Sequence, residues 1–148
     1  MSYIILNISD SDKHWWWAIQ EYIKRLWNTI KIEDIKPYKN WTSSQIIQKD
    51  TDKIIELLEK RYKDYDCIMM SKDGEICNTE TLAKKYGIGN FVFIIGGPYG
   101  IDEERIKKYV KNKISFWKIT LPHWLAKLTL LEQIYRIGTI LSGKKYHY

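Results

Sequence analysis

Two adjacent glycines close the most apolar stretch of the chain, where Phe91-Val92-Phe93-Ile94-Ile95 runs straight into Gly96-Gly97-Pro98-Tyr99-Gly100. Glycine adopts positive φ without steric cost and lets a ligand touch bare backbone, so this pentapeptide reads either as a plain tight turn or as a ligand loop. It is neither a GxGxxG fingerprint nor a Walker loop, because no GK[ST] follows. Thr120-Leu121-Pro122-His123 is a second candidate. The proline presses Leu121 into an extended conformation and makes a sharp strand-to-helix junction, with His123 either a base or a helix-entry hydrogen-bonder. Glu132 and Arg136 stand four residues apart on one helix face, as an ordinary ion pair or as an anchor within a site. At the carboxyl end, Gly143-Lys144-Lys145-Tyr146-His147-Tyr148 combines two cations, two aromatics and an imidazole. Terminal residues commonly fray, yet this set also suits phosphate contact with base stacking.

Three further groups have weaker claims. Trp15-Trp16-Trp17 cannot all face one side of a helix, so at least one is exposed or interfacial. Core and dimer packing or RNA stacking would account for them. Lys107, Lys108, Lys111 and Lys113 read as a solvated face, with phosphate contact the alternative. Cys67 and Cys77 form no CxxC pair and have no ligand spacing around them, so no metal site is expected and a reduced, cytosolic protein is the simple reading.

The elements that must position these residues alternate in type. Met1–Ile8 reads as a strand, with turn and N-cap chemistry in Ser9-Asp10-Ser11-Asp12. A helix follows to about Asn28, with Trp15, Ile19, Tyr22, Ile23 and Leu26 on one face. Ile30, Ile32 and Ile35 suggest a second strand, and Ile46, Ile47, Ile54, Leu57, Leu58 and Tyr62 a second helix. Cys67–Met70 is a short strand covered on both faces, Ser71–Gly74 a turn, and Thr79–Tyr86 a helix stopped by Gly87. After the Phe91–Ile95 strand, Asp102, Glu103 and Glu104 open a helix. Ile114–Ile119 reads as the last strand and Leu125–Leu141 as a long final helix, apolar nearly all round and so covered by a second subunit. This alternation implies an α/β sandwich around a largely parallel sheet. Ligands in such sheets sit beyond the carboxyl ends of strands, here Met70, the Gly96–Gly100 loop and Ile119–Leu121.

At 148 residues and 45% hydrophobic content the chain is one domain with a sizeable core. Its apolar runs fall far short of a membrane span, and Met1–Ile8 has neither a basic leader nor a small-residue cleavage site, so secretion and membrane insertion are not expected. Lys and Arg number 24 against 18 acids, a net charge of +6 that favours an anionic partner such as nucleic acid.

Taken in order, FVFIIGGPYGIDEE, SFWKITLPHWLAKLTLLEQIYRIGTILSG and the terminal KKYHY resemble the small ribosomal RNA methyltransferases of the RlmH type, in the SPOUT superfamily. The likeness is strongest over Cys67–Tyr148, and EYIKRL (Glu21–Leu26) fits in the first half. The resemblance implies a single-domain α/β three-layer sandwich whose carboxyl part forms a trefoil knot, a homodimer in the cytoplasm, and methyl transfer from S-adenosylmethionine to N3 of a pseudouridine in large-subunit rRNA. It further implies a cofactor pocket made by Met70, Gly96, Phe116, Trp117, Lys118, Ile119, Thr120 and Leu121. Its catalytic groups would be His147 as base, with Tyr146 and Arg136 orienting the nucleotide or stabilising its anion. Two positions depart from the family: the first strand ends Asn7-Ile8-Ser9 in place of a glycine-containing turn, and Tyr148 stands where many relatives are basic. The competing readings are a catalytically silent RNA-binding dimer of the same fold and a flavodoxin-like nucleotide binder, the latter lacking a phosphate motif.

Overall fold

The computed structural model describes residues 2–10 and 13–147. Five strands, β1 (Ser2–Ile8), β2 (Ile30–Ile35), β3 (Asp66–Ile76), β4 (Asn90–Ile95) and β5 (Val110–Ser115), form one parallel sheet in the order β2-β1-β4-β3-β5. Helices α1 (Trp16–Arg25), α3 (Thr79–Tyr86) and α5 (His123–Leu141) cover one face, and α2 (Ser43–Arg61) with the single turn α4 (Glu103–Ile106) covers the other. The result is the expected three-layer α/β sandwich.

The period-2 geometry of the strands sorts their side chains between the two layers. Tyr3, Ile5, Phe91, Phe93 and Ile95 point toward α1, α3 and α5, whereas Ile4, Leu6, Ile8, Val92 and Ile94 point toward α2 and α4. Both faces are apolar, as a buried parallel sheet requires. Phe93 sits at the centre, with its ring edge-to-face on Tyr86 at 5.7 Å and tilted against Tyr3 at 6.4 Å. Phe93→Ala is expected to cost about 3–5 kcal/mol, read as a lower urea midpoint.

Local chemistry sets the helix ends. Thr42 and Gln45 form a reciprocal capping box at the start of α2, and Asn78 caps α3 by accepting from the Thr81 N–H at 2.8 Å. Helix α1 begins differently from expectation: its N-cap is Trp15, whose side chain makes no capping bond, and Ser11 and Asp12 lie outside the described residues. Trp15 instead stacks on Trp124 with ring centroids 4.1 Å apart, while Trp16 and Trp17 are exposed.

Two other elements differ from the sequence reading. Ser71–Gly74 does not end β3; Met70 and Glu75 both pair with Ile114, so these four residues bulge out and the strand resumes. Gly74 permits this, because a Cβ there would lie 2.6–2.7 Å from the backbone of Lys113 and Ile114. The last strand is Val110–Ser115, earlier than Ile114–Ile119, and residues 116–122 are irregular. Its lysines mislead because β5 is an edge strand, where charge is tolerated. Lys111 pairs with Asp66 at 2.9 Å and Lys113 with Glu103 at 2.7 Å.

Candidate active site

Because all strands run parallel, the loops leaving β4 and β5 emerge at one edge of the sheet, and a cavity of about 520 Å3 lies between them and the bulge of β3. Met70 and the bulge contribute one wall, Ile95 through Ile101 a second, and Phe116, Trp117, Ile119, Thr120 and Leu121 a third. His123 and Ala126 close it from the first turns of α5. Of the eight residues expected in a cofactor pocket, seven line this space; Lys118 does not. The sequence reading missed Lys72, Glu103 and Ser115, which also line it. The signal for the first was Gly74, two residues on, read only as turn chemistry.

The glycine loop is held from behind. Gly100 donates its N–H to the Gly97 carbonyl at 3.0 Å, closing the turn around Pro98, and Gly100 itself has φ of +82°. Helix α2 supports the next residues: Thr51 Oγ1 accepts from the Asp102 N–H at 2.9 Å, and Gln48 donates to Asp102 Oδ2 at 2.9 Å. Arg105 ties the same segment to Gln48 at 2.7 Å and to Asp52 at 2.5 Å. These bonds fix the wall of the cavity without entering it.

Beneath Gly97 lies Asp50, fully buried, with Oδ1 accepting a long 3.5 Å bond from the Tyr38 N–H and Oδ2 lacking a hydrogen-bond partner among the described residues. Burial pushes its carboxyl above the usual range, against a smaller lowering by the Tyr38 N–H. An acid with a raised folded-state pKa binds its proton more tightly when folded, so it destabilises the fold as pH rises from the ordinary carboxylate range through the raised value. Asp50→Asn is therefore expected to raise stability at pH 7, with the gain shrinking toward pH 4. Urea melts at the two pH values check this; an equal effect at both would refute it.

The candidate catalytic groups form a separate cluster along the second half of α5. Arg136 donates from Nε and Nη2 to Glu132 Oε1 at 2.9 and 2.6 Å, and its guanidinium lies 4.8 Å from the Tyr146 ring centroid. Glu132 holds the Arg136 pKa above its ordinary value. Tyr146 packs edge-to-face on Tyr135, and its hydroxyl lies 3.4 Å from that of Tyr22 and 3.3 Å from Glu132 Oε1. The Tyr22 hydroxyl, burial and Glu132 push its pKa up to about 12, so this phenol is a hydrogen-bond donor at neutral pH. Arg136 Nη1 can only donate, so His147 Nδ1 accepts from it at 3.2 Å and the ring N–H sits on Nε2, facing Glu80 Oε1 at 3.0 Å. Tyr148 lies outside the described residues.

The structure thus brings together seven of the eight residues expected in a cofactor pocket, and separately brings Arg136, Tyr146 and His147 together. It does not join the two groups within one chain. Ten helical residues separate Ala126 from Arg136, roughly 15 Å at 1.5 Å per residue. Among the described residues, no group of three His, Cys, Asp or Glu is placed to hold a metal ion, and no helix is long and apolar enough to cross a membrane.

A family model described as "Predicted SPOUT methyltransferase" matches residues 1–147. The chain belongs to the SPOUT methyltransferase family. It is accordingly an enzyme that transfers a methyl group from a donor. Among SPOUT relatives, the "Ribosomal RNA large subunit methyltransferase H" of Mycoplasmopsis pulmonis is 34% identical over 145 residues, covering 97% of each chain. The protein of the same name from Pseudothermotoga lettingae is 34% identical over 139 residues, covering 88% of this chain and 89% of its own. Two solved structures share the fold. A candidate RNA methyltransferase from Bacillus anthracis superposes with a TM-score of 0.62 at 15% identity, over 99% of this chain and 100% of its own. The A. aeolicus TrmH/SpoU tRNA modifying enzyme superposes with a TM-score of 0.58 at 14% identity, over 96% and 77%.

Proposed function

We propose that this chain methylates N3 of a pseudouridine in large-subunit ribosomal RNA, in the cytoplasm, with S-adenosylmethionine as donor. The observation that carries the reading is the cavity between the β3 bulge and the loops after β4 and β5, walled by the GGPYG loop, in a chain whose relatives bear the name of a large-subunit rRNA methyltransferase. The residues fit the donor. Met70, Ile95, Trp117 and Leu121 give apolar walls for an adenine, and Gly96 leaves backbone open on the cavity side. A volume of about 520 Å3 falls within the usual range for ligand sites. When bound, S-adenosylmethionine supplies a methyl group activated by its sulfonium.

The rest of the chemistry belongs to the chain. The N3 proton of the base lies between two carbonyls and must leave for the nitrogen to attack. Positioning supplies a large share of the rate. Arg136, kept charged by Glu132, and the protonated Tyr146 hydroxyl can each donate to a carbonyl that gains charge as the proton departs. His147 serves as base once Nδ1 exchanges Arg136 for the substrate, with Glu80 retaining the ring through Nε2.

This assignment requires a second copy, because the tail cluster and the cavity are roughly 15 Å apart along α5. The reading therefore includes a homodimer in which the tail of one protomer completes the cavity of the other, and a trefoil-knotted carboxyl part. Helix α5 supports pairing: Leu125, Leu128 and Ile140 stay half-buried in the single chain, and Leu141 is exposed. The test is transfer of radiolabelled methyl to ribosomes from a strain lacking the modification. Label at one pseudouridine is expected; cofactor binding with no transfer would instead establish the silent RNA-binding dimer.

A further inference from the structure

A second cavity, of about 860 Å3, opens at the carboxyl end of β2 between that strand and α2. Methyl transfer as described makes no use of it. Its lining carries Lys36, Lys39, Lys53 and Arg61 against Asp10, Glu33 and Asp34. Each of those acids already meets a cation: Asp10 pairs with Lys39 at 3.2 Å, Glu33 with Lys31 and Arg61 at 3.1 and 3.2 Å, and Asp34 with Lys127 at 2.8 Å. Of the lining cations, Lys36 makes no ion pair among the described residues and Lys53 makes only a long 3.8 Å contact with Glu56; Lys49, one turn before Lys53 on α2 and outside the lining, makes none either. The charge left over is positive.

Two aromatic rings extend this surface: Tyr38 lines the cavity, and Trp41 lies just outside it. Tyr38 and Trp41 meet edge-to-face at 6.2 Å, are 41% and 46% exposed, and Lys49 lies 5.5 Å from the Trp41 ring centroid. An aromatic face held in place among lysines is the combination that binds single-stranded nucleic acid, because stacking tolerates any base while cations track the phosphates. Position adds the third argument. Strand β2 is two places from β4 in a parallel sheet, so this groove opens on the same sheet edge as the GGPYG loop, roughly 10 Å away at the usual strand spacing.

We infer that this groove holds the single-stranded RNA flanking the methylated nucleotide, with phosphates on Lys36, Lys49 and Lys53 and one base stacked on Trp41. The inference rests on the RNA-methylating function proposed above and assigns its substrate a second contact surface. None of these side chains touches the methyl-donor cavity or the Arg136–Tyr146–His147 cluster, so the contact acts on RNA binding alone.

The test measures binding of a fluorescently labelled large-subunit rRNA fragment by anisotropy across a salt series. Trp41→Ala is expected to weaken binding about ten-fold. The triple variant Lys36→Glu, Lys49→Glu, Lys53→Glu is expected to flatten the log–log salt slope by about 2. Both keep their affinity for S-adenosylmethionine in calorimetry, which also verifies folding; Tyr38→Ala serves as a second stacking variant. Unchanged affinity and slope in folded variants would overturn the inference. So would intact RNA binding with loss of ribosome binding, which would make the groove a contact for ribosomal protein. Wild-type protein that binds RNA through the groove yet transfers no methyl would remove the methylation reading and leave the groove supported.

Discussion

Deleting Tyr146–Tyr148 is expected to lower methyl transfer roughly a thousandfold while leaving donor affinity within about two-fold. Tyr146 and His147 lie outside the cavity of their own chain, so they do not contact a donor bound there. They do contribute locally: Tyr146 packs on Tyr135 and under Arg136, and His147 bridges Arg136 and Glu80. Loss of the ring contacts costs about 1–2 kcal/mol, a shift that thermal melts would register without unfolding the domain. Single-turnover assays at saturating donor isolate the chemical step. Near-normal single-turnover methylation would make the tail dispensable and remove all three assigned groups except Arg136.

Gly96→Val is the reciprocal lesion, expected to weaken S-adenosylmethionine binding at least ten-fold and to abolish transfer with the fold intact. The glycine is well chosen. A Cβ at position 96 would meet Ile101 Cγ1 at 3.3 Å, a flexible side chain that can yield, whereas at Gly97 it would strike Ile8 Cγ2 at 2.9 Å above the buried Asp50. Calorimetry finding unchanged affinity in folded Gly96→Val would exclude this loop from the donor site. Mixing the two variants separates a shared site from an internal one. If one protomer's tail completes the other's cavity, half of the re-assorted dimers carry one intact site, and about a quarter of wild-type activity returns. If each chain completes its own, the mixture stays inactive.

Much of the fold was legible because apolar periodicity dominates it. Phe91–Ile95 and Thr79–Tyr86 are where the pattern puts them, since buried parallel strands and short capped helices leave strong local signatures. The misplacement of β5 has an equally local cause: the edge strand VKNKIS carries lysines, while the following Phe116-Trp117 pair looked more strand-like than the loop it forms. The bulge at Ser71–Gly74 depends on the backbone of Ile114, forty residues away, which no local pattern encodes. At the site, the GGPYG loop could be named in advance as the end of β4. The other two walls were named as strand ends but are not: Met70 lies within β3 ahead of its bulge, and residues 119–121 belong to the irregular segment after β5. The contacts of Tyr146 with Tyr22, or of His147 with Glu80, join residues over 60 positions apart and had no sequence signal. The partners of Asn7, a departure visible in the sequence, had none either. Its buried side chain donates to Ser9 Oγ and to Asp34 Oδ1, both at 2.9 Å, a polar cross-link at the end of β1.

The strand order has a consequence for synthesis. Strand β1 leaves the ribosome before the other four strands but occupies an interior position, with β2 on one side and β4 on the other. Its pairing with β4 joins Ser2 to Asn90 and Asn7 to Ile95, so that flank stays open until residue 95 has been made. The helix that covers Tyr3 and Ile5, α5, arrives later still. A nascent chain therefore displays YIILNI as an unsatisfied apolar edge until β4 has been made, and such edges recruit one another. Chaperone demand during expression should consequently concentrate on fragments ending before residue 95, and a pause in translation upstream of β4 would be more damaging than one downstream of it.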